Sequence, residues 1–139
     1  MATPFHLSVI TPASIKFEGE VDIVVAPGAS GDLGVLANHA PLLTTLRTGV
    51  VSATKSNAQE TGSRIQFAVN RGFLEAAADK VIILTDIAVA PSEVHAEEVR
   101  CELRQAEEAL AHKRGQDDVA ERDAVAWARA RLELVARPT

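Results

Sequence analysis

The sequence predicts an all-β antiparallel sandwich over residues 1–90, followed by an antiparallel two-helix hairpin over residues 91–139. Three observations carry that prediction. Before Pro91, apolar and polar residues alternate: Phe5, Leu7 and Val9 against His6 and Ser8, and Ile65, Phe67 and Val69 against Arg64, Gln66 and Asn70. A period of two buries one set and leaves the other in solvent, which is the signature of a strand with one buried face. After Pro91 the spacing changes to four, three and four, through Val99, Leu103, Ala106 and Leu110, the stripe of an amphipathic helix. Turn-forming residues also punctuate the first part at short intervals, which favours a sandwich or flattened barrel over alternating parallel units.

The strands expected are 5–11, 14–18, 20–26, 33–37, 42–46, 49–55, 63–69, 71–76 and 80–86. Between them stand Pro12, Gly19, Pro27 with Gly28, Gly49, the stretch Asn57 to Gly62, Gly72, and Asp79 with Lys80. The segment from Gly28 to Leu46, GASGDLGVLANHAPLLTTL, holds Gly28, Gly31 and Gly34, which can take positive φ and let the chain fold back sharply. Asn38, His39 and Pro41 then form a polar corner, in which proline pre-sets φ before the strand at Leu42. In the tail, a first helix is expected from Ser92 to Arg114, with Ser92 as N-cap and Glu93 near the positive end of the dipole. Gly115 to Asp117 interrupts the pattern, and Asp117 or Asp118 caps a second helix reaching about Ala136, with Val125, Ala128, Leu132 and Val135 on one stripe.

From Ser92 onward ten alanines face ten larger apolar residues. A methyl contributes only about 0.8 kcal/mol on burial, so such a seam holds two helices closely but weakly. A helix of about 20 residues is roughly 30 Å long, and straightening the hairpin would carry its tip several tens of Å. The expectation is therefore an element with two arrangements, folded on the sandwich or extended, set against a hairpin that is docked and static.

The 139 residues fit one domain and an appendage, and the chain contains no apolar run of the length that spans a bilayer. The first residues do not read as a secretory signal, and one cysteine, Cys101, allows no internal disulfide, so a reducing cytoplasm is expected. A net charge of −5, with 6 basic and 8 acidic residues before Pro91 and 8 basic and 11 acidic after it, argues against nucleic-acid binding.

The segment from Gly28 to Leu46 resembles the signature of the F-type ATP synthase epsilon subunit, whose bacterial members carry a similar GD/E-x-G-aliphatic-L-x-x-HAP-L run. The opening F-x-L-x-V-I-T-P (Phe5 to Pro12), FEGEV (Phe17 to Val21), the turn at Pro27 and Gly28, and GFLE (Gly72 to Glu75) recur in that family in the same order, so that the likeness spans most of residues 4–90. It marks Gly31, Gly34, His39, Pro41 and Gly72 as structural signature residues. It implies a non-catalytic central-stalk subunit of a proton-translocating ATP synthase. In that role the sandwich binds the gamma subunit and the c-ring and turns with them. The tail extends along gamma to the alpha and beta subunits and inhibits ATP hydrolysis. The implied location is peripheral, on the cytoplasmic face of the cell membrane, with membrane association only through the complex.

Some bacterial relatives bind ATP on the folded tail through [IL]-D-x-x-R-A. Here the matching stretch is Ala96 to Cys101, which keeps Arg100 and replaces the aliphatic residue, the aspartate and the alanine. Arg100, with Arg122 or Arg129 across the hairpin, is the candidate phosphate contact, and the replacements predict weak or absent ATP affinity. Arg122, Arg129 and Arg131 are candidate regulatory contacts to an acidic segment of the catalytic beta subunit. No catalytic residue is expected: His39 near Asp32 has no nucleophile in a strained elbow. No metal site is expected either, because His6, His39, His95 and His112 lack ligand spacing. Cys101 reads as an ordinary helix residue, and Trp127 as packing in the hairpin or at its junction. The alternative to a stalk subunit is a free-standing nucleotide sensor, a β-sandwich with a helical lid; co-sedimentation with gamma separates the two.

Overall fold

The computed structural model describes residues 4–55, 64–113 and 117–136. Nine strands, β1 (Phe5–Ile10), β2 (Ile15–Gly28), β3 (Gly31–Leu36), β4 (Leu42–Leu46), β5 (Gly49–Lys55), β6 (Arg64–Val69), β7 (Gly72–Ala76), β8 (Lys80–Thr85) and β9 (Ala88–Val89), precede a short 3₁₀ turn at Pro91–Glu93 and two helices, α1 (Ala96–His112) and α2 (Val119–Ala136). The β-sandwich followed by a two-helix hairpin is what the sequence predicts. The expected turn at Asn57 to Gly62, and the expected ends at Arg114 and Gly115, lie outside the described residues.

The strands run β1-β8-β7-β4-β2-β5-β6-β9, with β3 added on β2 and β1 also paired to β2. One layer is β1, β8, β7 and β4, the other β2, β3, β5, β6 and β9. The second strand belongs to both, because its first half pairs with β1 and its second half with β3 and β5. Gly19 was expected to break it into two strands. Instead the chain passes straight through and the irregularity falls at a bulge between Val21 and Ile23, where a bent strand can leave one partner for the next. The predicted antiparallel pairing holds except between β1 and β8, which run parallel. Alternation reports which face of a strand is buried but not the direction of its neighbour. The two-residue strand β9 was too short to leave a periodic signal.

Between the layers Leu7, Val9, Val21, Val24, Val35, Val51, Val69, Leu74, Val81 and Ile83 form one core of nearly inaccessible side chains. Of the three glycines in the signature segment, only Gly31 takes positive φ, at 136°; the β2–β3 turn needs one such residue. Gly28 and Gly34 lie in extended strand, paired with Gly31 and Val25. The left-handed residue of the polar corner is Asn38, with φ 61°.

The tail differs from expectation at its start. Ser92 is not an N-cap: it sits inside the 3₁₀ turn, and α1 begins at Ala96 after His95, which makes no side-chain cap bond. The Glu93 carboxylate turns back to accept from the Ala90 amide at 2.9 Å, and Val94 packs against apolar residues of the sheet and α2, so the chain hugs the sandwich before it turns helical. Both cap candidates serve the start of α2: Asp117 Oδ1 accepts from the Val119 amide at 3.3 Å, and the Asp118 carbonyl accepts from the Arg122 amide at 2.9 Å. The buried stripe of α2 is Val125, Ala128, Ala130 and Leu134, in place of the expected Leu132 and Val135. A helix clasped between a second helix and a sheet buries two stripes, and the one-stripe reading found only part of them.

Gly72 has φ 150°, and a Cβ there would lie 2.1 Å from the Leu84 carbonyl oxygen. Gly72→Ala is expected to cost about 3 kcal/mol or more, through the clash and the backbone conformation together. Denaturant unfolding measures it, and a loss below 1 kcal/mol would contradict this account of the β7–β8 contact.

Candidate functional site: docking face and helical latch

The two outer faces of the sandwich differ. On the β1-β8-β7-β4 layer, Thr45 pairs with Phe73, Phe73 with Leu84, and Leu84 with Ile10. These four residues therefore form one in-register row across four strands, on the side opposite the buried Leu74, Ile83 and Val9. Phe73 is 53% exposed, Leu84 46%, and Leu43, two residues before Thr45 on the same face, 70%. The row flanks a hollow of about 560 Å³ rimmed by Arg71, Thr85 and Asp86. Large apolar side chains gathered on one sheet face mark a contact surface.

The β2–β3 turn borders the same end. Arg47 donates to the Gly28 carbonyl at 2.7 Å and to Asp32 Oδ1 at 2.7 Å, and its amide bonds the Pro27 carbonyl at 2.9 Å, so the β2–β3 turn is clamped to the end of β4. At the other end of β4, His39 Nδ1 bonds the Ala40 carbonyl at 2.7 Å, and the Asn38 amide donates to the Ala78 carbonyl at 2.7 Å, beside the Leu42–Ala76 pair. Asp32 is thus partnered by Arg47. Arg47 was missed by the sequence reading because nothing in the spacing links it to a turn fifteen residues earlier.

The opposite face is covered by α2. Ala130 and Leu134 pack on Val50 of β5 and Ala68 of β6, with Val89, Val94 and Trp127 around them. The other helix lies against α2, joined by Arg131 to Glu102 at 2.6 Å, Arg129 to Glu107 at 3.2 Å and Lys113 to Glu121 at 3.2 Å. Two further pairs tie the tail to the sandwich, Arg71 to Asp123 at 3.3 Å and Lys16 to Glu93 at 3.4 Å. Exposed pairs of this kind contribute about 0–1 kcal/mol each.

The candidate arginines do not gather at one point. Arg100 pairs with Glu97 and Arg122 with Asp118, each within its own helix. The cross-helix pairs set the hairpin register and place Arg122 roughly 18 Å along the axis from Arg100. Arg131 is the most enclosed, its side chain 15% exposed, stacked 5.1 Å over the Trp127 ring. It lines a small cleft of about 190 Å³ that also contains Glu93, Glu98 and Glu102, a charge set unsuited to a polyphosphate.

Residues 4–91 match the family model of the ATP synthase delta/epsilon chain β-sandwich domain. The chain belongs to the ATP synthase epsilon chain family. It is 35% identical over 119 residues to the ATP synthase epsilon chain of Desulforamulus reducens, and 40% identical over 119 residues to that of Moorella thermoacetica, covering 86% of this chain and 86% of the relative in both cases. A chain in the Euglena gracilis mitochondrial ATP synthase structure (OSCP/F1/c-ring) superposes with a TM-score of 0.80 at 20% identity, over 99% of this chain and 84% of that one. The shared fold therefore includes the hairpin. Among the described residues no helix is long and apolar enough to cross a membrane.

The bond from the Ala90 amide, followed by the Lys16 ammonium, holds the Glu93 carboxyl below the ordinary carboxylate range. Its stabilisation of the linker is therefore present above the unfolded carboxylate pKa and lost as pH falls through the lowered folded value. In a pH titration the Ala90 amide proton resonance should move with a midpoint below that of a free glutamate, and stay flat in Glu93→Gln; a midpoint at or above the free value would refute the bond's role.

Proposed function

We propose that this chain is the non-catalytic epsilon subunit of the central stalk of a rotary ATP synthase, docking on the gamma subunit through the Phe73–Leu84 face. The observation that carries the reading is the exposed in-register row Thr45, Phe73, Leu84 and Ile10 beside an open hollow, on a protein whose family assembles into ATP synthase. A rotating shaft needs a partner surface that does not deform, and a sheet backed by a close-packed core supplies one. In this reading residues 1–90 form the body that meets gamma and the c-ring, and residues 91–139 form the regulatory body. The subunit sits peripherally on the cytoplasmic side of the membrane through the complex.

The docked hairpin is the resting arrangement in this reading, and its extended form reaches the alpha and beta subunits and slows hydrolysis. Arg122 and Arg129 are exposed in the folded form and available to an acidic partner. Arg131 is sequestered by Glu102 and Trp127 and becomes available only when the helices part. ATP plays little part in the switch, because Arg100, Arg122 and Arg129 are each paired with a carboxylate, of Glu97, Asp118 and Glu107, and the cleft beside Arg131 is lined by carboxylates.

Replacing both Phe73 and Leu84 by Asp should weaken binding to gamma at least 100-fold in co-sedimentation, since two anchors of a docking face each contribute about 2 kcal/mol or more; binding within threefold of wild type would reject this face. The free nucleotide-sensor alternative predicts tight ATP binding by the isolated chain, and calorimetry is expected to find none at micromolar concentrations. In the reconstituted enzyme, ending the chain after Pro91 or reversing the charges of Arg122, Arg129 and Arg131 should raise the rate of ATP hydrolysis. Equal rates would remove the inhibitory role while leaving stalk docking intact.

A further inference from the structure

Gln66 lies on β6 two residues before Ala68, on the same side of the strand, and pairs across the sheet with Ser52 as Ala68 pairs with Val50. It therefore faces the hairpin and not the core between the layers. It is 4% exposed, and among the described residues neither its Nε2 nor its Oε1 has a hydrogen-bond partner. The Arg71–Asp123 pair fixes the start of α2 at the β6–β7 turn, so the helix runs back along β6. Two strand residues advance roughly 6.6 Å and four helix residues roughly 6 Å. With Ala130 on Ala68, that spacing brings the Leu134 turn over Gln66.

A primary amide has two donors and an acceptor, and burying all of them without partners carries the full desolvation cost of the group. Water would restore those bonds the moment the helix lifts. We propose that Gln66 is a release element: its buried amide destabilises the docked hairpin selectively and so sets the fraction of molecules in which the tail is free of the sandwich. The inference rests on the reading above that the tail leaves the sheet, and it assigns the energetic cause of that departure to one residue of the sheet face.

The rest of the interface is small enough for one amide to matter. The apolar contact consists of Val50, Ala68, Ala130 and Leu134 with three partly buried neighbours, and the two ion pairs to the sandwich are solvent-exposed. Gln66 is on the face of β6 turned away from the inner core, so its effect is expected to fall on docking and leave the stability of the sandwich unchanged.

Gln66→Leu and Gln66→Met, which keep the volume and remove the amide, test this in the full chain. Hydrogen exchange followed by mass spectrometry should show the α1 and α2 amides protected at least tenfold more in both variants, about 1.4 kcal/mol, while β1 and β8 amides exchange as in the wild type. Exchange of the helices that is unchanged or faster in both variants would overturn the proposal, as would equal slowing throughout the sandwich, which marks a general stability effect. The measurement is independent of enzyme inhibition. If the truncated chain leaves hydrolysis unchanged while the variants slow helix exchange, the regulatory reading fails and the release element stands.

Discussion

The second strand is the constraint on which the rest of the molecule depends. Its fourteen residues pair with β1 at one end and with β3, β4 and β5 at the other, so a single piece of chain ties both layers together. Because its backbone bonds are shared among four neighbours, the layers cannot slide without breaking several ladders at once. The buried row Val21, Val24 and Ala26 sits at the centre of the common core. Close packing around one shared strand makes the sandwich resist deformation there.

From that constraint the two outer faces follow with opposite chemistry. One layer turns an apolar row outward at Phe73 and Leu84, with none of the other described elements laid upon it. The other carries Val50 and Ala68, which α2 covers. Arg71 stands between the two: it rims the hollow on the first face and pairs with Asp123 on the helix that covers the second. The clamp built by Arg47 on Gly28 and Asp32 holds the β2–β3 turn against the same end of the sandwich.

The hairpin is held differently. Its helices touch through alanines and a few valines and leucines, and ion pairs at the rim contribute little in water. The 3₁₀ turn and Glu93 keep the linker against the sandwich, so the tail stays near even when its contacts loosen. In the proposed release of the tail, the small apolar patch and the unpartnered Gln66 amide beneath it bring the two arrangements close in free energy.

Periodicity and turn residues were enough to place the sandwich and the helical hairpin, because alternation by two and by three or four is a property of local geometry that any buried face imposes. The same residues located most strand bounds, the Asp117 cap and the signature corner. Tertiary structure alone decided that β2 runs unbroken through Gly19, that β1 and β8 are parallel, that Phe73 and Leu84 share a row, and that Gln66 is shut beneath α2. Each of these depends on which strands lie side by side and which face a helix covers. Such pairings join residues far apart in the chain and are fixed by the packing of the whole, so no local pattern records them.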